Sequence, residues 1–268
     1  MKKVFILVIF IGSFIGYSKW NENNILNDYT LETFAAEQMQ IADEVILVNR
    51  DYEYKGEPLQ LVHIEEGSSN LIRVMDNMEM QPQVYRAMID MAEAAVRDGI
   101  STLQLNSAYR SKEGQAELYE QYGEEYALPA GYSEHQTGLA LDIGVTTGKI
   151  EGTEAEKWLA KNAAAYGFVL RYPAHKVEVT DIEFEPWHFR YVGLPHSLIM
   201  QEMDLVLEEY LELIRERKVM KYVRGMNEYV IQYMKADESP ITVEVPVGQS
   251  SQISNDNVGG MVVTTVIQ

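Results

Sequence analysis

The side chains able to carry out chemistry are few in this sequence, because it contains no cysteine and only five histidines. Thiol nucleophiles, disulfides and cysteine-ligated zinc are therefore excluded, and a metal would have to be held by His, Asp or Glu. Two histidines, His135 and His188, stand in dense stretches of polar and aromatic residues. These stretches read SEHQTGLALDI (residues 133–143) and EPWHFRY (residues 185–191).

The first stretch predicts a strand with two different faces. At a period of two, Asp142 shares a face with the small residues Gly138 and Ala140, which leaves room above it for a ligand. A bend at Gly138 would bring the preceding His135 back over Asp142. The opposite face is apolar and is expected in the core; it carries Leu139, Leu141 and Ile143. His135, Asp142 and one further histidine would give the three ligands and one open position of a catalytic zinc site.

The second stretch adds a histidine and an acid. Glu185 and His188 are three residues apart and would face opposite sides of a straight strand, but Pro186 between them predicts a kink that lets them converge. A carboxylate beside a metal can act as general base toward water without binding the metal itself. Spacing alone leaves ordinary roles open for these residues, as turn, capping or core residues. The same holds for the remaining candidates, which are His63, His175, His196 and Arg110.

The 268-residue chain is acidic, with 22 Lys and Arg against 41 Asp and Glu and a formal net charge of −19. Such a chain is a poor match for the phosphates of DNA or RNA, so we expect no nucleic-acid partner. Hydrophobic residues make up 46% of the chain, which is enough to build a core without disulfides.

The N-terminus is typical of an exported protein. In residues 1–18, two lysines precede an unbroken apolar run, which predicts a signal peptide or an N-terminal membrane anchor. Gly16 and Ser18 would permit cleavage, whereas Tyr17 and Trp20 suit an interfacial anchor, and both outcomes stay open. Residues 19–44 are polar and are predicted to form a linker.

Hydrophobic periodicity predicts alternating helices and strands over residues 45–195. Helices are expected at residues 81–98, 112–122 (with Ser111 as N-cap) and 154–166 (ended by Gly167). Strands are expected at residues 45–48, 103–107, 139–145, 168–170 and 189–192. Residues 196–268 are expected to form a C-terminal extension, helical over 198–233 and followed by a β hairpin from strand-like runs at 241–247 and 261–267.

Three ordered blocks give the chain a specific resemblance to the VanY-type D-alanyl-D-alanine carboxypeptidases, in a wider zinc-peptidase group with the VanX dipeptidases and the L,D-carboxypeptidases. The blocks are SAYRS (residues 107–111, with Gln115 following), SEHQTGLALDI, and EPWHFRYVG (residues 185–193). The resemblance implies an α+β fold, with a small antiparallel sheet, packed helices and a zinc cleft, over residues 45–195. It assigns zinc, one ion per chain, to His135, Asp142 and His188. It makes Glu185 the catalytic base and Arg110 the oxyanion-stabilising cation, and it places Gln115 and Ser133 against the substrate.

The function implied by the resemblance is removal of the terminal D-Ala from peptidoglycan stem pentapeptides or their lipid-linked precursor. The enzyme would act outside the cytoplasm, at the outer face of a bacterial cell membrane or in the cell wall, with a membrane contact if the N-terminal segment is uncleaved. Two alternatives stay open: an L,D-carboxypeptidase acting on tetrapeptides, and a non-catalytic wall-binding domain on the same scaffold. The sequence does not separate wall maintenance from glycopeptide resistance.

Overall fold

A computed structural model describes residues 25–58, 60–67, 69–124, 126–236 and 241–267. The predicted signal or anchor, residues 1–18, lies outside the described residues. Within the described part of the chain, no helix combines the length and the apolar character needed to cross a membrane.

The elements alternate through the middle of the chain and become strand-rich toward its end. The strands are β1 (Leu31–Ala35), β2 (Gln40–Ile41), β3 (Val62–Ile64), β4 (Ile72–Val74), β5 (Met78–Met80), β6 (Leu103–Ser107), β7 (Ala140–Val145), β8 (Phe168–Leu170), β9 (His188–Tyr191), β10 (Val219–Arg224), β11 (Asn227–Lys235), β12 (Thr242–Pro246), β13 (Ser250–Asn255) and β14 (Gly260–Ile267). The helices are α1 (Pro82–Arg97), α2 (Lys112–Tyr122), α3 (Glu154–Asn162), α4 (Val177–Thr180), α5 (His196–Met203) and α6 (Leu207–Arg217). Short 3-10 helices occupy Leu26–Asp28, Ala36–Gln38, Glu134–Thr137, Ala163–Tyr166 and Ala174–Lys176.

A five-stranded sheet in the order β4-β6-β7-β9-β8 forms the centre of the first half of the fold. All neighbours are antiparallel except β4 and β6, which run parallel. A pairing irregularity between Leu105 and Ser107 on β6 brings Ser107 opposite Asp142 of β7, and such bulges re-aim side chains next to functional sites. The α+β fold expected from the sequence is confirmed.

The two faces of β7 differ as the residue pattern predicts. Leu139, Leu141 and Ile143 are fully buried in one core with the apolar side of α1, which includes Val84, Met88, Met91 and Ala95. Val96 lies outside this apolar side and is 45% exposed, because it lies about 140° around the helix from Met91 at 100° per residue. Asp142 stands on the opposite face, turned away from α1.

Local capping signals define the ends of two helices. The Ser111 side chain accepts a hydrogen bond from the Gly114 N–H and so caps α2. The predicted helix at 154–166 continues from α3 into the 3-10 helix Ala163–Tyr166, and Gly167 ends it at φ 87°. A Cβ at Gly167 would lie 2.6 Å from the Tyr191 ring, so both its backbone angle and its surroundings require glycine.

The C-terminal extension is larger than a helix and a hairpin. The helix was predicted to run through residue 233, but its last part is replaced by β10 and β11, and these join β14, β13 and the short β2 in a second five-stranded sheet. β1 pairs with β12 in a separate ladder. Part of the stretch predicted as a linker therefore contributes two strands to the C-terminal unit.

Residues 45–48 were predicted as a strand, but they form a buried segment that begins in a turn and has no strand partner among the described residues. Their side chains alternate between two cores: Ile46 and Val48 pack with the first sheet, and Val45 and Leu47 pack with α5, α6 and the second sheet. The backbone N–H of Val45 donates to Ser254 Oγ, and that of Leu47 donates to the Asp256 carbonyl. The segment thus joins the two halves of the fold into one packed structure.

Candidate metal centre

Asp142 and His188 are direct cross-strand neighbours on β7 and β9. Opposed residues on an antiparallel pair point to the same side of the sheet, so their side chains meet. His188 Nδ1 lies 3.2 Å from Asp142 Oδ1, and both residues are largely buried. The pairing register, which the sequence motifs could not specify, brings the two motifs together.

His135 reaches the same point from the 3-10 helix that precedes β7. Gly138 ends this helix in the left-handed conformation, at φ 70°, and a Cβ there would lie 2.9 Å from Leu61. The predicted bend is therefore present. His135 Nε2 lies 3.5 Å from Asp142 Oδ2, while Nδ1 lies 2.6 Å from the Ala108 carbonyl. A carbonyl only accepts hydrogen bonds, so Nδ1 carries a proton, and Nε2 is the nitrogen that faces Asp142.

The three side chains fit a metal ion. One ligand atom from each of His135, Asp142 and His188 lies within 4.8 Å of the other two. Two ligands bound at about 2.0–2.1 Å in tetrahedral geometry are about 3.3 Å apart, close to the two His–Asp distances. Asp142 Oδ1 is buried and has no partner in hydrogen-bonding geometry among the described residues, although His188 Nδ1 is near. A buried carboxylate oxygen needs a partner, and a cation would supply one.

Glu185 lies beside this trio without being part of it. It precedes β9 in a turn closed by the His188 N–H donating to the Glu185 carbonyl, so the kink expected at Pro186 is present. Glu185 Oε2 lies 3.6 Å from His188 Nδ1, and its side chain keeps 30% of its surface exposed. Burial raises the pKa of Glu185, although the nearby His188 opposes that shift. A partly exposed carboxylate with a raised pKa is suited to accept and release a proton.

Arg110 is held in place by two side chains. Its Nη1 donates to Gln115 Oε1 at 2.8 Å, and its Nη2 donates to Ser107 Oγ at 3.1 Å. Gln115 also donates from Nε2 to the Leu128 carbonyl at 2.6 Å, so both ends of its amide are bound within the protein. Ser133 is buried at the start of the 3-10 helix that carries His135.

A cavity of about 460 Å³ connects these groups. Its lining contains all seven residues to which the family resemblance assigns a role, which are Arg110, Gln115, Ser133, His135, Asp142, Glu185 and His188. Trp187 and Tyr126 also line it and are 39% and 79% exposed. His63, His175 and His196 lie outside this lining.

Sequence reasoning missed a buried carboxylate behind His188. Glu134 Oε2 lies 3.3 Å from His188 Nε2, and its Oε1 accepts hydrogen bonds from Arg171 and Arg190, both at 2.8 Å. Burial would raise the pKa of Glu134, but the two guanidiniums outweigh burial and hold it well below its usual range. Glu134 therefore stays ionised and accepts the His188 Nε2–H. Its place immediately before His135 was the available signal, but one sequence does not reveal burial.

The His188 ring is fixed from several sides. Its centroid lies 4.8 Å from that of Tyr172 and 5.0 Å from that of His135. Burial disfavours a charged imidazole, but the neighbouring Asp142 and Glu134 carboxylates prevail and raise the pKa of His188 to about 9. A metal binding at Nδ1 would therefore displace a proton, which is usual for histidine ligands.

Known proteins are similar to this chain in sequence and in fold. The family model described as VanY, D-alanyl-D-alanine carboxypeptidase, matches residues 77–194. A D-alanyl-D-alanine carboxypeptidase of Enterococcus faecium is 38% identical over 248 residues, which cover 91% of this chain and 82% of that relative.

Two solved structures share the fold at moderate identity. The vancomycin-resistance D,D-dipeptidase VanXYg, in complex with a D-Ala-D-Ala phosphinate analogue, aligns with a TM-score of 0.76 at 29% identity, covering 89% of this chain and 99% of that one. A mutant of the vancomycin-resistance D,D-pentapeptidase VanY from a VanB-type cassette, in complex with Zn(II), aligns with a TM-score of 0.55 at 30% identity, covering 63% and 99%. With the similarity spanning most of the E. faecium carboxypeptidase, this chain belongs to the VanY family of D-alanyl-D-alanine carboxypeptidases, as its motifs predicted.

Proposed function

We propose that this protein is a zinc-dependent D,D-carboxypeptidase that removes the terminal D-Ala from peptidoglycan stem pentapeptides. The observation that carries the proposal is the trio of His135, Asp142 and His188 with Glu185 beside it as a carboxylate outside the trio. The E. faecium relative is named for this activity, and the VanY structure is described in complex with Zn(II). Two similar structures are named as vancomycin-resistance enzymes, which supports a link to glycopeptide resistance.

His135, Asp142 and His188 hold the zinc ion in this proposal, one ion per chain. Bound there, zinc would act as a Lewis acid that polarises the scissile carbonyl and lowers the pKa of water. His135 presents Nε2 to the metal, because its Nδ1–H donates a hydrogen bond to the Ala108 carbonyl. His188 presents Nδ1, because its Nε2–H donates to Glu134.

Glu185 acts as the general base and then as the general acid. It takes a proton from the water that attacks the carbonyl carbon of the penultimate residue. When the C–N bond breaks, it delivers that proton to the amine of the departing D-Ala. Its raised pKa makes the Glu185 carboxylate a stronger base toward the water proton than an ordinary glutamate.

Arg110 stabilises the negative charge that develops on the carbonyl oxygen. Two of its five N–H groups are bound to Gln115 and Ser107, which fixes the guanidinium and leaves other donors for the substrate. A preoriented cation favours the transition state over the ground state. Ser133 and Gln115 are proposed to form the wall of the subsite for the terminal D-residue, and Gln115 does so while holding Arg110.

The proposed place of action is outside the cytoplasm, at the membrane surface or in the wall of a bacterium. Support comes from the export pattern of residues 1–18 and from relatives named for D-Ala-D-Ala substrates. The stem peptide, either in the wall or in its lipid-linked precursor, is the proposed partner. An uncleaved N-terminal segment would add a membrane contact.

The test offers the zinc-loaded protein a mixture of muropeptide pentapeptide and tetrapeptide and follows both by mass spectrometry. We expect the pentapeptide to lose one D-Ala and the tetrapeptide to persist. Loss of D-Ala from the tetrapeptide would show that the same residues catalyse an L,D-carboxypeptidase reaction. No loss from either peptide, with zinc bound, would contradict an enzymatic role and favour a wall-binding module.

A further inference from the structure

Arg171 is a fully buried arginine that joins two carboxylates from different parts of the fold. Its Nε donates to Glu134 Oε1 at 2.8 Å, while its Nη1 and Nη2 donate to the two oxygens of Glu208 at 2.9 and 2.7 Å. The planar guanidinium fork suits such a bidentate contact. A continuous chain of charged hydrogen bonds therefore runs from Glu208 through Arg171 and Glu134 to His188.

Glu208 lies on α6, outside the region that carries the family's motifs. Asn49, from the segment between the two cores, donates to Glu208 Oε1 at 3.0 Å and fixes the carboxylate from the other side. The C-terminal extension is therefore linked to the proposed metal centre by charged hydrogen bonds, although α6 supplies no residue to the cavity lining.

The four charges in this cluster cancel. Glu134 and Glu208 carry two negative charges, and Arg171 and Arg190 carry two positive charges, with three of the four side chains fully buried. Without Glu208 the cluster would carry a net positive charge directly behind His188. In a poorly solvated interior that charge would act on a bound cation with little screening. It would also draw Glu134 toward Arg171 and away from the His188 ring.

We propose that Glu208 is a positioning residue for the metal centre: through Arg171 and Glu134 it orients His188 and neutralises the charge behind it. This inference rests on the proposed function, because it needs His188 to be a metal ligand. It assigns the C-terminal extension a role in metal affinity in addition to packing. Partners that orient a metal-bound histidine typically account for about tenfold to 100-fold in affinity or activity.

The next residue offers a matched control. Glu209 accepts hydrogen bonds from Lys176 Nζ at 3.0 and 2.9 Å, so it also ties α6 to the first half of the fold. Lys176 lines a different cavity from the one that holds the metal trio. Loss of the Glu209 pair therefore removes a similar tether without changing the chain of contacts to His188.

The experiment compares Glu208→Gln with Glu209→Gln in the full-length protein. Zn²⁺ affinity is measured by competition with a chromogenic chelator at constant pH, and Tm is measured for the metal-free proteins. We expect Glu208→Gln to weaken Zn²⁺ binding about tenfold. The Zn²⁺ affinity of Glu209→Gln should stay within about twofold of the wild-type value, although this substitution also lowers Tm. The Co²⁺-substituted Glu208→Gln protein is expected to show shifted visible absorption bands, which report ligand geometry.

The outcomes separate this inference from the proposed function. If wild-type protein fails to bind Zn²⁺, the proposed metal centre itself is wrong. If wild type and Glu208→Gln bind Zn²⁺ equally while Tm falls, Glu208 is only a structural tether and the inference is overturned. Should Glu208→Gln fail to fold, Arg171→Lys keeps the charge but cannot bond to both carboxylates as the fork does. Unchanged Zn²⁺ affinity in that variant would equally overturn the inference.

Discussion

Arg110 Nη1 donates a hydrogen bond to Gln115 Oε1 at 2.8 Å, so Gln115 holds the guanidinium that faces the cavity. The family resemblance placed Gln115 against the substrate. The other end of the Gln115 amide is bound to the Leu128 carbonyl. Gln115 thus fixes the position of Arg110 through contacts within the protein alone. Oxyanion stabilisation depends on such fixed geometry, since a donor that must reorganise during the reaction contributes less.

Arg110→Lys should reduce kcat about 100-fold or more with a smaller change in KM, because one ammonium cannot reproduce the fork that bonds to Gln115, Ser107 and the substrate. Steady-state release of D-Ala from a pentapeptide measures this. Arg50→Lys is the control, since Arg50 lines the same cavity but is exposed and paired with Asp181. Equal losses in both variants would argue against a specific role for Arg110.

Gln115→Ala should lower kcat as well as raise KM, because it frees Arg110 and also removes a wall of the substrate subsite. A residue that only bound the substrate equally in ground and transition states would change KM alone. The measurement is the separation of kcat from KM over a full substrate titration. An increase in KM at unchanged kcat would show that Gln115 does not position Arg110.

Removing the metal should lower both activity and stability. Among the described residues a buried Asp142 oxygen has no hydrogen-bond partner, and a ligand that binds only the folded state stabilises that state by mass action. At 100 times its dissociation constant, Zn²⁺ should add about 2.7 kcal/mol to the free energy of unfolding. Thermal unfolding with chelator and with Zn²⁺ measures this, and Asp142→Asn should lose most of the difference. An identical Tm in chelator and Zn²⁺ for the wild type would exclude this site.

Stability should fall in mild acid because of His196. This buried ring contacts the Tyr210 hydroxyl at 2.6 Å and Thr264 Oγ1 at 2.9 Å, and burial lowers its pKa from 6.5 to about 3. Below the ordinary histidine pKa the unfolded chain binds a proton that the folded state does not. The stabilisation from His196 is therefore complete above pH 6.5 and is lost as pH falls toward 3.

The expected slope from this one group is at most about 1.4 kcal/mol per pH unit between about pH 4 and 6. Urea unfolding at several pH values should show a shallower acid dependence for His196→Gln than for the wild type. His175→Gln is the control, because His175 is exposed and paired with Asp204. The explanation fails if His196→Gln keeps the full wild-type slope.

The two motifs predicted how the side chains converge because they contain local constraints. The alternation around Asp142, the bend at Gly138 and the kink at Pro186 each follow from backbone rules that act over a few residues. The partners of the ligands could not be predicted the same way. Arg171 and Arg190 are charged residues in the sequence, and their burial results from distant contacts with Glu208 and with the Glu44 and Ile46 carbonyls.

The C-terminal extension shows why a charge-rich stretch can mislead. Mixed acidic and basic residues on α6 indicated a helix, and the prediction extended it through residues 219–233. The apolar alternation of Met220 and Tyr222, followed by a turn at Gly225, was the signal for two strands.

The strand prediction for residues 45–48 failed for another reason. Four apolar residues in a row fit a strand, but here they separate two cores instead of joining a sheet.

The central claim is that the trio holds the metal while Glu185 transfers the proton. Glu185→Ala tests it most directly, with bound zinc and D-Ala release measured on the same protein sample. We expect zinc content and Zn²⁺ affinity close to wild type, and turnover reduced by about 100-fold to 10,000-fold, the usual effect of losing a general base. Hydrolysis of pentapeptide at the native rate by the zinc-loaded variant would contradict the account.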